Sequence, residues 1–491
     1  MEPMSKVDTA WLRMEQATNL MMITGVIVLQ EDVDYERLLQ TVEQRFLAFR
    51  RFRQTAVDSP SGAHWRMDED FDLRAHVRRI GLPGKADRAE LESLVAELAS
   101  SPLDKARPLW QFHLVENYVE GPALVCRIHH CIADGIALVQ VFLSLTDDSP
   151  ESRPCVAEPK QWSQRRAEES PVFQRLLEPA RDGLDFVTHV GQRLLAEGQK
   201  IIDEPARAGR YAVEAAEILR ELGHSLSLPD DPPTRLKGRL GVRKQVAWAK
   251  PLALEEVKAV GKALGCTVND VLIAAVTGAL RRYLISCGDA PSALQDIRAT
   301  VPVNLRPLEH APELGNHFGL VFLSLPLGSD NPLERLYRVN ERMDELKASR
   351  QAAVTFGVLS VLGMGPSALQ KPVLELLSGK ATTVLTNVPG PQRPLWLAGS
   401  RLKEMMFWVP QNGKIGLGIS ILSYNGQVFF GVISDRRLVP DPGGIIQQFH
   451  PEFEKLLYLA LMLPIRGRPH TSEAEFLIRQ SEALGLGGFA S

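Results

Sequence analysis

Apolar residues in the first 150 positions follow two spacings, one typical of buried strands and one typical of amphipathic helices. Short β-branched runs predict strands, and apolar residues three and four apart predict helices. We predict strands at 23–29, 112–115 and 123–128, and helices at 35–46 and 136–145. The alternation predicts an α/β domain over residues 1–150.

The middle of the chain has a different composition. Residues 149–171 and 225–233 are rich in Pro, Ser and charged residues, as linkers are. Between them, 172–222 carries apolar residues at helix-face spacing, interrupted by Pro179 and Pro205. We expect a linker and helical connector over residues 151–235.

A second α/β pattern covers residues 236–466. One apolar helix face occurs at 254–264, and Thr267 is positioned to cap the next helix. Further strands are predicted at 321–327 and 382–385, and a hairpin at 415–422 and 427–433. The hairpin turns at Asn425-Gly426, a pair typical of type I′ turns. The tail, 467–491, is polar and then Gly-rich, and we expect it to be disordered.

Composition narrows the possible partners and the compartment. The 491 residues include 56 Lys and Arg against 59 Asp and Glu, a net charge of −3 without a basic block, so nucleic acid is not an expected partner. The five cysteines have no CxxC spacing, which favours a reducing cytosol. We find no signal peptide and no apolar run long enough to span a bilayer. Any membrane contact is therefore expected at its surface.

The run from His129 to Gly135 reads HHCIADG and joins the strand at 123–128 to the helix at 136–145. A histidine at the end of a rigid element titrates near neutral pH and is held in place, as a general base requires. A lone histidine would more simply be a core residue with satisfied hydrogen bonds. A metal site of His129, His130 and Asp134 is disfavoured because adjacent strand side chains diverge and no further Cys/His set completes a tetrahedron.

Six short motifs in this order resemble the bacterial wax ester synthase/acyl-CoA:diacylglycerol acyltransferase family, over roughly residues 5–465. They are Pro108-Leu109-Trp110, HHxxxDG at His129–Gly135, Asn269-Asp270, Pro302–Arg306, Gly315–Gly319 and Thr386–Pro391. Asp8 and Glu15 also stand where that family has acids. HHxxxDG alone is shared with peptide-synthetase condensation domains, so the ordered set makes the resemblance specific. The run 21–25, MMITG, departs from the family by lacking its histidine, which bears on substrate preference.

The resemblance implies an α/β fold of two chloramphenicol-acetyltransferase-like domains with a tunnel between them. It implies an O-acyltransferase that moves a long-chain acyl group from acyl-CoA to a fatty alcohol or diacylglycerol, making wax esters or triacylglycerols. Acyl-CoA would be a substrate, and no cofactor is expected. Because such substrates partition into lipid, we expect a cytoplasmic protein, peripheral at a membrane or lipid-droplet surface. Acyl chain length, the preferred acceptor and the oligomeric state stay open.

The resemblance also suggests roles for single residues. His130 is the candidate general base, and His129 either orients it or supports the turn. Asp134 is expected in a structural ion pair with an arginine, and Gly135 in a conformation or close approach that a Cβ would block. Asn269 is either an oxyanion donor or a helix cap. Tunnel-lining or structural roles are expected for Pro108, Leu109, Trp110, Asp270, Arg306 as a partner of Asp134, Asn316, Asn387, Pro389 and Gly390.

Three other interpretations share part of this pattern. A condensation-type enzyme would take acyl groups from carrier proteins, but no carrier or adenylation module fits in the chain. An inactive lipid-binding relative is disfavoured by the intact HHxxxDG. A plant-type acyltransferase would carry DFGWG, and that string does not occur. The stretch 172–195 is amphipathic and either lies on a membrane or packs on its own protein.

Overall fold

The structure is a computed structural model that describes residues 1–59, 62–151, 229–304, 314–316, 318–349, 378–411, 413–463 and 468–483. The helical run predicted at 172–222 lies outside these residues. The helices are α1 Lys6–Met14, α2 Tyr35–Thr41, α3 Leu73–His76, α4 Arg88–Ser100, α5 Gly135–Ser144, α6 Leu254–Leu264, α7 Val268–Ser286, α8 Pro332–Ala348, α9 Gly443–Met462 and α10 Thr471–Ala483. A π-helical turn, Val42–Phe46, continues α2, and short 3₁₀ turns occur at Arg50–Arg53 and Pro291–Ala293.

The strands confirm the alternating pattern that the sequence predicts. They are β1 Glu2–Pro3, β2 Met22–Leu29, β3 Gln54–Val57, β4 His64–Met67, β5 Val77–Ile80, β6 Trp110–Val115, β7 Ala123–His129, β8 Thr146–Asp147, β9 Lys244–Trp248, β10 Leu252–Ala253, β11 Ile297–Asn304, β12 Phe318–Leu325, β13 Thr383–Pro389, β14 Trp396–Leu397, β15 Ser400–Trp408, β16 Leu417–Tyr424 and β17 Gln427–Asp435.

Two mixed sheets of seven strands organise the molecule. The first sheet has the order β5-β6-β7-β2-β15-β14-β8, and the second has β10-β17-β16-β13-β11-β12 with β9 beside β17. Strands β1, β4 and β3 form a small third sheet. One cluster of buried apolar residues centres on the first sheet and extends to Trp248 and Phe318 of the second, and another cluster centres on the second sheet.

One segment crosses between the two parts of the chain. Strand β15 pairs antiparallel with β2, and β14 pairs with β15 and β8, so residues 396–408 complete the first sheet. The limits predicted at 1–150 and 236–466 remain a prediction, but the second range contributes two strands to the sheet of the first. The two halves are therefore joined through backbone hydrogen bonds.

Local signals near the second sheet act as predicted. Thr267 caps α7: its hydroxyl accepts from the Asp270 N–H while the Asp270 carboxylate accepts from the Thr267 N–H. Asn425 and Gly426 both have positive φ, 48° and 75°, and join β16 to β17 as the type I′ turn requires. The prediction of a disordered tail is wrong for 471–483, which forms α10. This helix buries Ala474 against the second core.

No single helix among the described residues is both long and apolar enough to cross a bilayer. The bent pair α6 and α7 passes by length and composition alone.

Candidate active site

The loop between β7 and α5 sends its two histidines to different surroundings. His129 ends β7, and His130 follows directly, so their side chains diverge as neighbouring strand residues do. The His129 N–H donates to Leu109 O at 2.9 Å, and the His130 N–H donates to Met21 O at 2.7 Å. Both imidazoles are thus carried by backbone that the first sheet holds.

His130 lies at a cavity and is covered by aromatic rings. Its side chain is buried and stacks on Trp11 with ring centroids 4.2 Å apart, while Phe318 lies 5.5 Å away. Burial lowers the pKa of His130 to about 4, outweighing the opposing effect of the nearby Asp134 carboxylate. The imidazole is therefore neutral at physiological pH and can accept a proton.

His129 has no place at the cavity and is fixed between two partners. Its Nδ1 accepts from the Cys131 N–H at 3.1 Å, which leaves the proton on Nε2, 3.0 Å from Glu15 Oε2. Lys105 Nζ lies 3.1 Å from the other Glu15 oxygen. Burial raises the pKa of Glu15, but His129 and Lys105 together lower it to about 2. These contacts fix the His129 ring, and its supporting role stays a prediction.

A short segment of the second half holds the loop from the other side. Asn316 Nδ2 donates to His130 O and to Asp8 Oδ1, both at 2.7 Å, and its backbone N–H donates to the same carboxylate at 3.1 Å. The neighbouring Gly315 O accepts from the Asp134 N–H at 3.2 Å. The histidine loop is therefore clamped by residues that follow it by more than 180 positions.

Asp134 and Gly135 start α5. Asp134 is the N-cap, and its Oδ1 accepts from the Ala137 N–H at 2.8 Å. Its predicted partner Arg306 lies outside the described residues, so that ion pair stays a prediction. The reason predicted for Gly135 is wrong: its φ is not positive, and an added Cβ would only reach Val409 Cγ1 at 4.0 Å. That Cβ would instead project into the open cavity, which Gly135 lines.

Asn269 lies one layer behind the cavity wall. Its Oδ1 accepts from Asn387 Nδ2 at 2.6 Å, and it is Asn387 that lines the cavity. Asp270 is fully buried in the capping box and also accepts from Asn340 Nδ2. Asn387 lies in a strand, because β13 continues through Pro389 in parallel register with β16.

Other motif residues are structural in their contacts. Trp110 is buried among Phe46, Phe52 and Phe112, and its Nε1 donates to Phe52 O. Pro108 and Leu109 precede it, Leu109 accepting from His129 as above. Gly390 follows Pro389 and approaches Ser423 so closely that a Cβ would lie 2.4 Å from its carbonyl oxygen.

The cavity lies between the two sheets and encloses about 180 Å³. Its lining is mainly apolar and comes from both halves, with His130 among the few polar groups. In the part of the chain that the structure describes, no three His, Cys, Asp or Glu side chains converge as metal ligands. The arrangement offers a neutral imidazole inside an apolar passage.

The aromatic rings that cover His130 were not predicted from the sequence. Trp11 follows Asp8 by three residues on α1, so the two share one helix face, and Glu15 is the C-cap residue of that helix. That periodicity was the available signal. Phe318 lies within the motif Gly315–Gly319, but nothing in the motif predicted that its ring would contact His130.

Comparison with protein families gives matches over both halves. A model of the wax ester synthase/diacylglycerol acyltransferase catalytic domain matches residues 4–272, and a model of the C-terminal domain of that family matches residues 314–457. A probable diacylglycerol O-acyltransferase of Mycobacterium tuberculosis is 28% identical over 472 residues, which cover 94% of this chain and 96% of the relative. A putative diacylglycerol O-acyltransferase of the same organism is 30% identical over 436 residues, covering 86% and 88%.

Solved structures share the fold. The wax ester synthase/diacylglycerol acyltransferase from Marinobacter aquaeolei aligns with a TM-score of 0.66 at 23% identity, covering 94% of this chain and all of that one. The first condensation domain of the calcium-dependent antibiotic synthetase aligns with a TM-score of 0.58 at 14% identity, covering 94% and 96%. Both halves of the chain are thus chloramphenicol-acetyltransferase-like, as predicted.

Proposed function

The chain belongs to the wax ester synthase/diacylglycerol acyltransferase family, and we propose that His130 is the general base of its reaction. As a member it is an acyl-CoA-dependent O-acyltransferase that makes wax esters or triacylglycerols. The observation that supports His130 is its neutral imidazole, buried at an apolar cavity that both halves line. A base must be unprotonated and within reach of the reacting hydroxyl.

The proposed step transfers one acyl group and returns one proton. His130 takes the proton of the acceptor hydroxyl as that oxygen attacks the thioester carbonyl carbon of acyl-CoA. The tetrahedral intermediate then collapses, the carbon–sulfur bond breaks, and the imidazolium returns its proton to the leaving CoA thiolate. The buried site keeps water away from the thioester, so hydrolysis does not compete.

We propose that the Asn269–Asn387 pair stabilises the oxyanion. Asn387 Nδ2 uses one N–H on Asn269 Oδ1, and an amide nitrogen carries a second. Since Asn387 lines the cavity, its second N–H is suited to donate, and Asn269 then acts by orienting it. One oxyanion donor is typically worth about 3–4 kcal/mol in the transition state.

We also propose that the protein works in the cytoplasm at a membrane or lipid-droplet surface. The support is chemical, because a long-chain alcohol or diacylglycerol partitions into lipid and must be taken from it. Co-sedimentation with phosphatidylcholine liposomes containing dioleoylglycerol tests this: recovery of the protein in the pellet is expected. A variant lacking 172–195, which either lies on a membrane or packs on its own protein, shows whether that segment is needed: unchanged lipid binding would rule out the interfacial role.

The deciding experiment compares wild type and His130→Ala with palmitoyl-CoA, offering hexadecanol and dioleoylglycerol separately. We expect wild-type ester and a loss of about 10²- to 10⁴-fold in the variant. The variant must unfold at a temperature near that of wild type for the comparison to count. Equal ester yields from both proteins would remove His130 from the mechanism. Folded wild type that forms no ester and releases no thiol would favour a carrier-bound acyl donor or an inactive relative.

A further inference from the structure

An apolar crevice leads from the catalytic loop into the first half. One wall is α5 with its C-cap residue Leu145. The wall residues Gly135, Leu138, Phe142 and Leu145 follow one helix face away from the motif. At about 1.5 Å per residue, this face extends roughly 15 Å. The opposite wall is the first sheet, which contributes Ile23, Gly25, Phe112, Cys126 and Ile128.

Gly25 makes room for an aromatic ring at the floor of this crevice. It stands opposite Phe407 in the β2–β15 ladder. A Cβ on Gly25 would lie 2.3 Å from Phe407 Cδ1 and 2.4 Å from Cε1, so the ring occupies the place of the missing side chain. The ring also meets Phe142 of α5 edge-on, with centroids 5.8 Å apart. Phe407 thus spans the crevice from floor to helix.

The position of Phe407 along the crevice defines a length. Phe142 lies two helical turns beyond Gly135, which is roughly 10 Å. An extended octanoyl chain that starts at His130 ends near this point. A palmitoyl chain continues past it and must pass the ring.

The other side of the cavity has different chemistry. The second sheet presents hydroxyl and amide side chains from Thr300, Thr386, Asn387 and Ser420 among apolar ones such as Leu320, Phe322 and Val384. The ester oxygens of diacylglycerol accept hydrogen bonds, and the Ser420 hydroxyl is placed to donate to them. The Thr300 and Thr386 hydroxyls already donate to Thr383 O and Ile419 O. Bare methylenes gain nothing from any of these polar groups. The crevice, in contrast, offers a wall that is apolar along its length.

We propose that the crevice holds the acyl chain of the donor, and that Gly25 and Phe407 set the chain length it accepts. The inference rests on the proposed function, because it assigns substrates of that reaction to the two walls. The acceptor then lies along the second sheet, with its hydroxyl at His130. Gly25 and Phe407 are specificity residues and take no part in proton transfer.

Binding of an acyl-CoA series tests the proposal without turnover. Dissociation constants of octanoyl-, lauroyl- and palmitoyl-CoA are measured by calorimetry, without acceptor and below micelle-forming concentrations. Each buried methylene is worth roughly fourfold in affinity. In Gly25→Ala the new methyl pushes the ring into the crevice, so we expect palmitoyl-CoA to bind at least tenfold more weakly and octanoyl-CoA to be unchanged.

Three further variants separate chain length from packing. Gly25→Ala/Phe407→Ala removes the ring that the methyl meets, so palmitoyl binding should return, and Phe407→Ala alone should tighten binding of the longest chain. Gly418→Ala is the matched control: it adds a methyl 2.7 Å from Ile433 Cγ2 in the second sheet, outside the crevice. It should change stability and leave chain-length dependence unchanged.

Two outcomes would overturn the inference. One is an equal loss for every acyl length in folded Gly25→Ala. The other is a Gly25→Ala protein that keeps its dependence on acyl chain length but changes its preference among alcohols of different length, measured with octanoyl-CoA as the fixed donor. The variants could show the expected dependence of binding on acyl chain length while no acceptor yields ester. That result would support the acyl-chain crevice and refute the proposed acyl transfer.

Discussion

The lowered pKa of His130 predicts that the enzyme stays active in mildly acidic solution. A base with the ordinary histidine pKa near 6.5 would be about one-tenth neutral at pH 5.5. With its pKa lowered by burial to about 4, His130 is almost fully neutral there. We expect kcat/KM for ester formation to be flat from pH 8 to about 5 and to fall as the pH passes about 4, since kcat/KM reports groups of the free enzyme.

The same burial makes folding pH-dependent. The folded pKa of His130 lies below the unfolded one, so the unfolded chain binds more protons between about pH 4 and 6.5. The contribution of neutral His130 to the free energy of unfolding is therefore complete above pH 6.5 and is lost as the pH falls to about 4. At about 1.4 kcal/mol for each pH decade, the loss is about 3 kcal/mol.

His113 is the matched control for this prediction. It is also buried, and burial with the nearby Arg127 lowers its pKa to about 4, but it lies on β6 and does not line the cavity. His113→Leu should reduce the pH dependence of stability and leave the activity profile unchanged. The assay is initial-rate ester formation, quantified by mass spectrometry, with circular dichroism showing which pH values keep the protein folded.

A half-maximal activity near pH 6.5 in folded protein would refute the argument from burial. A profile moved by His113→Leu would show that another titration controls the rate.

Three more changes probe the surroundings of the base. Asn387→Ala should lower kcat about 10²- to 10³-fold, and Asn269→Ala should lower it less, as steady-state kinetics would show. Variants that change KM but leave kcat unchanged would contradict the oxyanion role. Glu15→Gln removes the charge beside His129, so stability should fall less steeply between pH 4.5 and 2 than in wild type, by the part that Glu15 contributes, as acid unfolding curves would show. Asn316→Ala should destabilise the fold by about 1–3 kcal/mol for each buried group left without its partner; an unchanged urea midpoint would contradict the clamp.

Local chemistry explains what the sequence could predict. The strand, loop and helix around HHCIADG follow from an apolar run, an N-cap aspartate and a second apolar run, all within a few residues. The hairpin at Asn425-Gly426 and the cap at Thr267 are equally local. Asn425 and Gly426 adopt the positive φ that the turn requires, and the Thr267 hydroxyl accepts a hydrogen bond from a backbone N–H three residues later. These predictions needed no knowledge of distant contacts.

Long-range pairing explains what was missed. The strand at 400–408 was not predicted, and its partner β2 lies more than 370 positions earlier in the first half. Pro389 and Gly390 are residue types common in turns, yet the parallel ladder with β16 keeps the backbone extended to Pro389, and Asn387 lines the cavity. The need for a glycine at position 25 comes from the Phe407 ring packed against it, a contact between residues far apart in the sequence.

Both halves of the chain are needed to position the His130 imidazole. The first half supplies the imidazole and its stacking partner Trp11, but the backbone that carries the imidazole is held by Asn316 of the second half. Without Asn316, the Asp8 carboxyl would be buried without the donors it has now, and burial already raises its pKa. A buried polar group left without partners is costly, so the loop would relax away from the cavity. The base is thus in position only when the two halves meet, which is also when the acyl crevice and the acceptor wall face each other.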